Sequence, residues 1–182
     1  STTKEMIACV LATRYRVEKT PVNHNNDIGM PMAILAMPED TQVAVLEMGM
    51  SHFGEISYLS HIAKPDIGVI TNIGTMHMEN LGSREGILQA KLEICDGMAQ
   101  EARLCLFGDD AYLWRSRETL NRPVTYFGIS NEACHLLAEN VQQQGSGLCF
   151  DVRAGEICFP VCLPLEGAHF VSDALAAISV GL

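Results

Sequence analysis

The stretch Pro65–Lys91, PDIGVITNIGTMHMENLGSREGILQAK, limits the fold more than any other part of this chain. Asp66 to Ile73 is a short apolar run rich in β-branched residues, the pattern of a buried strand. A Gly-containing turn, Gly74 to Met76, leads to His77. After Leu81-Gly82, Ser83 is placed to cap a helix expected over Arg84–Gln100. Strand, polar loop and helix in this order make half of a βαβ unit, and ligands of open α/β sheets bind at the C-terminal ends of such strands. His77 therefore falls where chemistry is expected. Lys91 lies roughly two to three turns into the following helix.

The flanking sequence repeats this alternation. Thr2 to Leu11 reads as a helix and Val17 to Val22 as a strand or extended segment. Asn23–Asp27 is a polar loop, and Ile28–Met37 a helix with Pro31 in its first turn. Gln42–Met48 (QVAVLEM) is a buried strand and Gly54–Ala63 a helix. Ala102–Phe107 and Val124–Phe127 are strands on either side of a helix over Ala111–Leu120. Such βα alternation predicts an α/β domain, a mainly parallel sheet flanked by helices on both faces. After Ser130 the spacing shortens. His135–Gln142, Leu148–Arg153 and Glu156–Leu163 are separated by Gly145-Ser146-Gly147 and Ala154-Gly155, which predicts a small antiparallel meander appended to the parallel sheet.

The chain ends in another helix, His169–Leu182, with Val171, Leu175, Ile178 and Leu182 at helical spacing. An apolar helix at the first residue and another still running at the last lead to the expectation of a fragment of a longer protein. No internal repeat, low-complexity segment or domain linker interrupts residues 1–182.

Composition narrows the function. A net charge of −10 with no basic stripe argues against nucleic acid as a partner. No apolar run reaches the ~18 residues of a membrane span, so no membrane insertion is expected. Ser1 opens no signal-peptide pattern. Seven cysteines (Cys9, Cys95, Cys105, Cys134, Cys149, Cys158 and Cys162) form no CxxC pair. They read as reduced core residues of a cytoplasmic protein. An acidic chain of this kind binds anionic ligands only through local devices: a helix N-terminus, a metal or a few cations.

The polar candidates each have a plain structural reading, and some a chemical one beside it. Glu47 ends an apolar strand and precedes Gly49; it is either a solvated strand-end carboxylate or a Mg²⁺ ligand, since Mg²⁺ takes one or two carboxylates plus phosphate oxygens and water. His77 is a ligand, an acid–base group or a structural histidine. Thr2 and Thr3 either cap the first helix or face a phosphate at its N-terminus. Asn25 and Asn26 read first as turn residues, Asp109-Asp110 as a helix N-cap pair, and Lys91 as a solvated lysine.

Taken in order, STTKEM, NHNNDIGMP, VLEMGM, PDIGVITNIGTMHMENLGSREGILQAKLEI and GAHFVSDALAA resemble the central ATP-binding domain of the Mur ligases, a phosphate-loop NTPase-like fold. Among these the wording is most similar to members that add D-alanyl-D-alanine to UDP-N-acetylmuramoyl-tripeptide. The resemblance covers nearly the whole chain. It implies an ATP-dependent amide ligase of bacterial peptidoglycan synthesis that works through an acyl phosphate. Ser1 then matches the terminal hydroxyl of the family's GxxGK[ST] loop and is a metal ligand. Thr2, Thr3 and His169 fall on the ATP side. Glu47 matches the Mg²⁺ carboxylate, His77 the histidine at a second Mg²⁺, and Lys91 the lysine that the family carbamylates into a further metal ligand. Asn25 and Asn26 match a loop on the UDP-muramoyl-peptide side.

Three departures accompany the resemblance. The glycines and lysine of the phosphate loop are absent from this chain, as are the family's N- and C-terminal domains, so the fragment is expected to be inactive alone. The family's HNxxNALAA reads His169-Phe170-Val171-Ser172-Asp173-Ala174-Leu175 here, with both asparagines replaced. Two rival readings follow: another Mur or folylpolyglutamate-synthase-like ligase, against which NNDIGMP and EMGM speak, or a non-catalytic nucleotide-binding module.

Overall fold

A computed structural model describes residues 1–182. Its elements run α1 (Thr2–Leu11), β1 (Val17–Lys19), α2 (Gly29–Leu35), β2 (Val43–Val45), α3 (Glu55–Ala63), β3 (Ile67–Ile70), α4 (Met78–Leu81), α5 (Arg84–Leu92), β4 (Arg103–Phe107), α6 (Ala111–Arg115), β5 (Val124–Gly128), β6 (Leu136–Gln144), β7 (Gly147–Ala154), β8 (Ile157–Leu163) and α7 (His169–Gly181). None of the helices is long and apolar enough to cross a membrane.

The strands form two sheets. β1 and β2 make a short parallel pair, and β3-β4-β5-β6-β7-β8 lie side by side in a second sheet. β3, β4, β5 and the start of β6 are parallel, while β6, β7 and β8 form the expected antiparallel meander. Both hairpins turn through a glycine at positive φ, Gly145 at 60° and Gly155 at 61°, a region that residues with a Cβ enter at a cost.

Side-chain alternation along β4 explains the layering. Leu104 and Leu106 are fully buried on one face, with Ile70, Ile87, Ala90 and Leu113 from the α5 and α6 side. Cys105 points to the other face, into a cluster with Phe127, Phe150, Val152, Val171 and Leu175. A central parallel strand buried on both faces must be apolar along its buried length, as Leu104–Phe107 is, with Arg103 at its partly exposed start. Each fully buried Leu or Phe contributes roughly 1.5–3 kcal/mol relative to exposure. Trp114 packs edge-on against Tyr126, with ring centroids 4.9 Å apart.

Several boundaries differ from the sequence reading. β3 stops at Ile70, three residues early, because the Ile73 N–H is taken by the Asp110 carboxylate at 2.8 Å instead of by a neighbouring strand. The short helix α4 was not expected; it fills the turn between His77 and Gly82. α5 ends at Leu92 and passes into a 3₁₀ turn, Glu93–Gly97, as Glu93 reaches across to accept the N–H groups of Gly54 and Ser57 at the start of α3. α6 likewise shortens into a 3₁₀ turn over Ser116–Glu118.

Ser83 caps α5 by accepting the Gly86 N–H at 3.1 Å, as the sequence indicated. The Asp109-Asp110 pair divides its work. Asp110 caps α6 through the Tyr112 and Leu113 N–H groups, and Asp109 gathers the N–H groups of Ile129, Ser130 and Asn131 beyond β5. The expectation of seven reduced cysteines is corrected: Cys149 and Cys162 form a disulfide. They are direct cross-strand partners on β7 and β8 with Cα atoms 4.2 Å apart, so the register itself brings the two thiols together. The other five cysteines are free.

Candidate active site

Two neighbouring groups of residues lie at the C-terminal ends of the parallel strands. The first is built on the start of α1. An α-helix leaves its first N–H groups without intrahelical partners, and the helix dipole makes that end attractive to anions. Glu47, just past β2, meets this end: Ser1 Oγ donates to Glu47 Oε2 at 2.9 Å and lies 3.2 Å from Oε1.

Beneath this contact the Lys4 ammonium donates to the Thr20 carbonyl at 2.7 Å and sits 3.4 Å from Glu47 Oε2. Thr20, itself fully buried, accepts the Glu47 N–H on its hydroxyl at 3.0 Å. Burial raises the Glu47 pKa, but hydrogen bonding from the Ser1 hydroxyl and the charge of Lys4 act against it, and the carboxyl titrates below its ordinary range.

The Thr3 hydroxyl donates to Asp173 on α7. This bond sets the first turns of α1 and α7 side by side. His169 opens α7 one turn before Asp173, on the same face, exposed and with its ring 4.0 Å from that of Phe170. Thr2 is exposed at the head of α1. Ser1, Thr2, Thr3 and Glu47 thus gather at the head of α1, and the Thr3–Asp173 bond joins to it the first turns of α7, which His169 opens. Asp173 is the residue that sequence reasoning passed over as a site residue; its place in the altered HFVSD segment was the available signal.

The second group lines a cavity of about 550 Å³ formed by Asn25, Asn26, Asp27, Gly49, Met50, Phe53, Tyr58 and His77, among others. Asn25 holds the loop after β2 by accepting the Gly49 N–H on its carbonyl at 2.6 Å. The Asn26 side chain accepts the Gly29 N–H at 2.7 Å, so this asparagine also performs the turn role first assigned to it. His77 stands at φ 63°, a left-handed conformation uncommon for a residue with a side chain.

Lys91 secures the loop that carries His77. Its Nζ donates to the Asn72 carbonyl at 2.7 Å. Arg84 donates to the next carbonyl, Ile73, at 2.6 Å through Nη2. Burial pushes the Lys91 pKa down, opposed by the charge of Asp110. The sequence reading of a solvated lysine therefore does not describe it. Thiol chemistry has no support here: burial and the nearby Asp109 push Cys134 up to about 11, and burial raises Cys95 and Cys105.

The donor set around Glu47 is one carboxylate and one hydroxyl, both hard oxygens. No group of three or more His, Cys, Asp or Glu side chains gathers anywhere to hold a metal unaided. That combination suits Mg²⁺, which completes its shell with phosphate oxygens and water, better than it suits a metal held wholly by protein.

Fold and site define a class: an α/β domain with parallel strands flanked by helices, and a carboxylate and a hydroxyl at the head of its first helix. The Mur ligase middle domain model matches residues 1–181, and the chain belongs to that family. It is 46% identical over 181 residues to the UDP-N-acetylmuramoyl-tripeptide–D-alanyl-D-alanine ligase of Bacillus subtilis, covering 100% of this chain and 38% of that protein. The crystal structure of MurF from Acinetobacter baumannii superposes with a TM-score of 0.90 at 33% identity, over 98% of this chain and 39% of that one. MurF ligase from Thermotoga maritima in complex with ADP gives 0.88 at 29% identity, over 98% and 42%. This chain therefore spans about two fifths of the proteins it matches.

Proposed function

We propose that this chain is the ATP-binding core of a cytoplasmic ligase that adds D-alanyl-D-alanine to UDP-N-acetylmuramoyl-tripeptide. The observation that carries the proposal is the meeting of Ser1 and Glu47 at the head of α1, 2.9 Å apart, in a chain 46% identical to a ligase of that name. The remaining length of the relatives would supply the rest of the phosphate loop and the flanking N- and C-terminal domains.

In this reading an oxygen of the tripeptide's terminal carboxylate attacks the γ-phosphorus of ATP, and the bond to the ADP oxygen breaks. The amine of D-alanyl-D-alanine then attacks the acyl carbon, phosphate leaves, and the nitrogen loses a proton. The free N–H groups of α1 face the phosphates, with Thr2 and His169 beside them. Asn25 and Asn26 face the muramoyl-peptide in the cavity. Ser1 and Glu47 would hold one Mg²⁺, and His77 with a carbamylated Lys91 a second; bound there, the metals supply positive charge against the crowded phosphate oxygens.

The surroundings of Lys91 favour carbamylation. Burial raises the share of neutral amine, whose lone pair attacks CO₂; a C–N bond forms and one proton is released. The product keeps a single N–H, and the Asn72 carbonyl, 2.7 Å away, is placed to accept it.

Hydroxylamine trapping tests the scheme. The full-length protein, given ATP, Mg²⁺ and UDP-N-acetylmuramoyl-tripeptide without D-alanyl-D-alanine, should yield a hydroxamate of the tripeptide. A folded protein that yields none would turn attention to the non-catalytic reading that the HFVSD segment raises.

A further inference from the structure

Lys4 is the most unusual residue near the site. Its side chain is only 4% exposed, and lysine is almost never buried to that extent unless it is paired. Its ammonium touches three elements at once: the Thr20 carbonyl after β1 at 2.7 Å, Glu47 Oε2 after β2 at 3.4 Å, and Glu5 Oε1 one residue along α1 at 3.8 Å. If the side chain served packing alone, an apolar one of similar volume would do as well or better, because burying a charge costs more than its pairing usually returns.

The contacts divide the two oxygens of Glu47. Oε2 carries both the Lys4 ion pair and the shorter bond from Ser1, while Oε1 has only the longer Ser1 hydroxyl contact. The backbone is held as well, by the bond from Glu47 N–H to the buried Thr20 hydroxyl. Lys4 and Thr20 thus brace Glu47 from behind, on the side away from solvent. The carboxylate, 27% exposed, keeps Oε1 as the oxygen available to a ligand.

We propose that Lys4 is a positioning residue for metal-assisted nucleotide binding. It pins one oxygen of Glu47 so that the other meets the cation in a fixed orientation. This rests on the reading of Glu47 as the metal carboxylate. Groups that orient a metal-binding side chain typically matter about 10- to 100-fold in metal affinity.

The test is calorimetric titration of ADP into the full-length protein at a series of MgCl₂ concentrations and in EDTA, with thermal unfolding in EDTA alongside. Lys4→Met should raise the Mg²⁺ concentration for half-maximal tight binding at least about tenfold, with ADP affinity in EDTA unchanged. Lys4→Arg should restore most of the shift. In the Glu47→Gln background Lys4→Met should add nothing further. Should Lys4→Met fail to fold, Lys4→Gln, which keeps a donor for Thr20 and drops the charge, carries the same prediction.

A Mg²⁺ requirement unchanged or lowered by loss of Lys4, with only a reduced melting temperature, would overturn the proposal and leave Lys4 a structural tie. A full additional shift in the Glu47→Gln background would also overturn it. Glu47→Gln that leaves the Mg²⁺ requirement untouched would remove the metal reading itself, and this inference with it.

Discussion

Lys91 Nζ lies 2.7 Å from the carbonyl oxygen of Asn72, which ties the last turn of α5 to the loop between β3 and His77. A lysine expected to wave in solvent is instead half-buried, and its amine is fixed at the end of a parallel strand. In the full-length protein Lys91→Ala should reduce turnover by about 10²- to 10³-fold, the usual cost of removing one preorganised electrostatic group. Small carboxylates added to the assay should restore part of it. Undiminished turnover would take Lys91 out of the reaction.

The depressed Lys91 pKa sets the direction of a pH effect. Burial destabilises the ammonium, so the neutral amine appears at lower pH than the ordinary 10.5. By linkage, stability tied to this group is fully present above the unfolded value and is lost as pH falls through the lower, folded value. At fixed dissolved CO₂, carbamate on Lys91 should therefore grow in as pH rises, earlier than on surface lysines. Carbon-13 NMR with labelled bicarbonate reads this directly. A carbamate signal appearing only together with those of exposed lysines would contradict the burial argument.

Asp110 joins two structural tasks, since one oxygen caps α6 and the other holds the Ile73 N–H. Asp110→Ala should cost about 2–4 kcal/mol, a lost cap plus an orphaned N–H. Ser83→Ala loses only a cap and should cost about 1 kcal/mol. Urea unfolding of both variants checks the order. Equal costs would mean that the Ile73 bond contributes nothing to stability.

The Cys149–Cys162 disulfide closes a loop with a sequence separation of 13. Loop-closure entropy for that length is about 3 kcal/mol, an upper figure because the hairpin already holds the strands together. Dithiothreitol should lower the melting temperature of the meander and leave ADP affinity unchanged. A loss of ADP binding on reduction would connect β7 and β8 to the site in a way that the strand order does not.

Much of the frame was legible because it follows from local rules. The apolar run of β4, the alternation of the meander and the Ser83 cap are each decided by a few adjacent residues. The misreadings share a cause of the opposite kind. Ile73 leaves its strand because Asp110, 37 residues on, accepts its N–H, and α5 ends at Leu92 as the next residue, Glu93, accepts N–H groups of Gly54 and Ser57, up to 39 residues back. A local pattern contains no trace of such bonds. The disulfide escaped for the same reason, since its partners are adjacent only once β7 and β8 pair. At the candidate site, Glu47 and His77 drew notice by their places at strand ends, whereas Ser1, Asn25 and Asn26 were named only through the family resemblance. Lys4 and Asp173 became visible only when α1 was set against β1, β2 and α7.

The most direct measurement is phosphate release by the full-length protein with ATP, Mg²⁺ and UDP-N-acetylmuramoyl-tripeptide, offering D-alanyl-D-alanine, meso-diaminopimelate or L-lysine in turn. Release with D-alanyl-D-alanine alone is the predicted result. Release with a diamino acid instead, or none with any amine from a folded protein, would contradict the account.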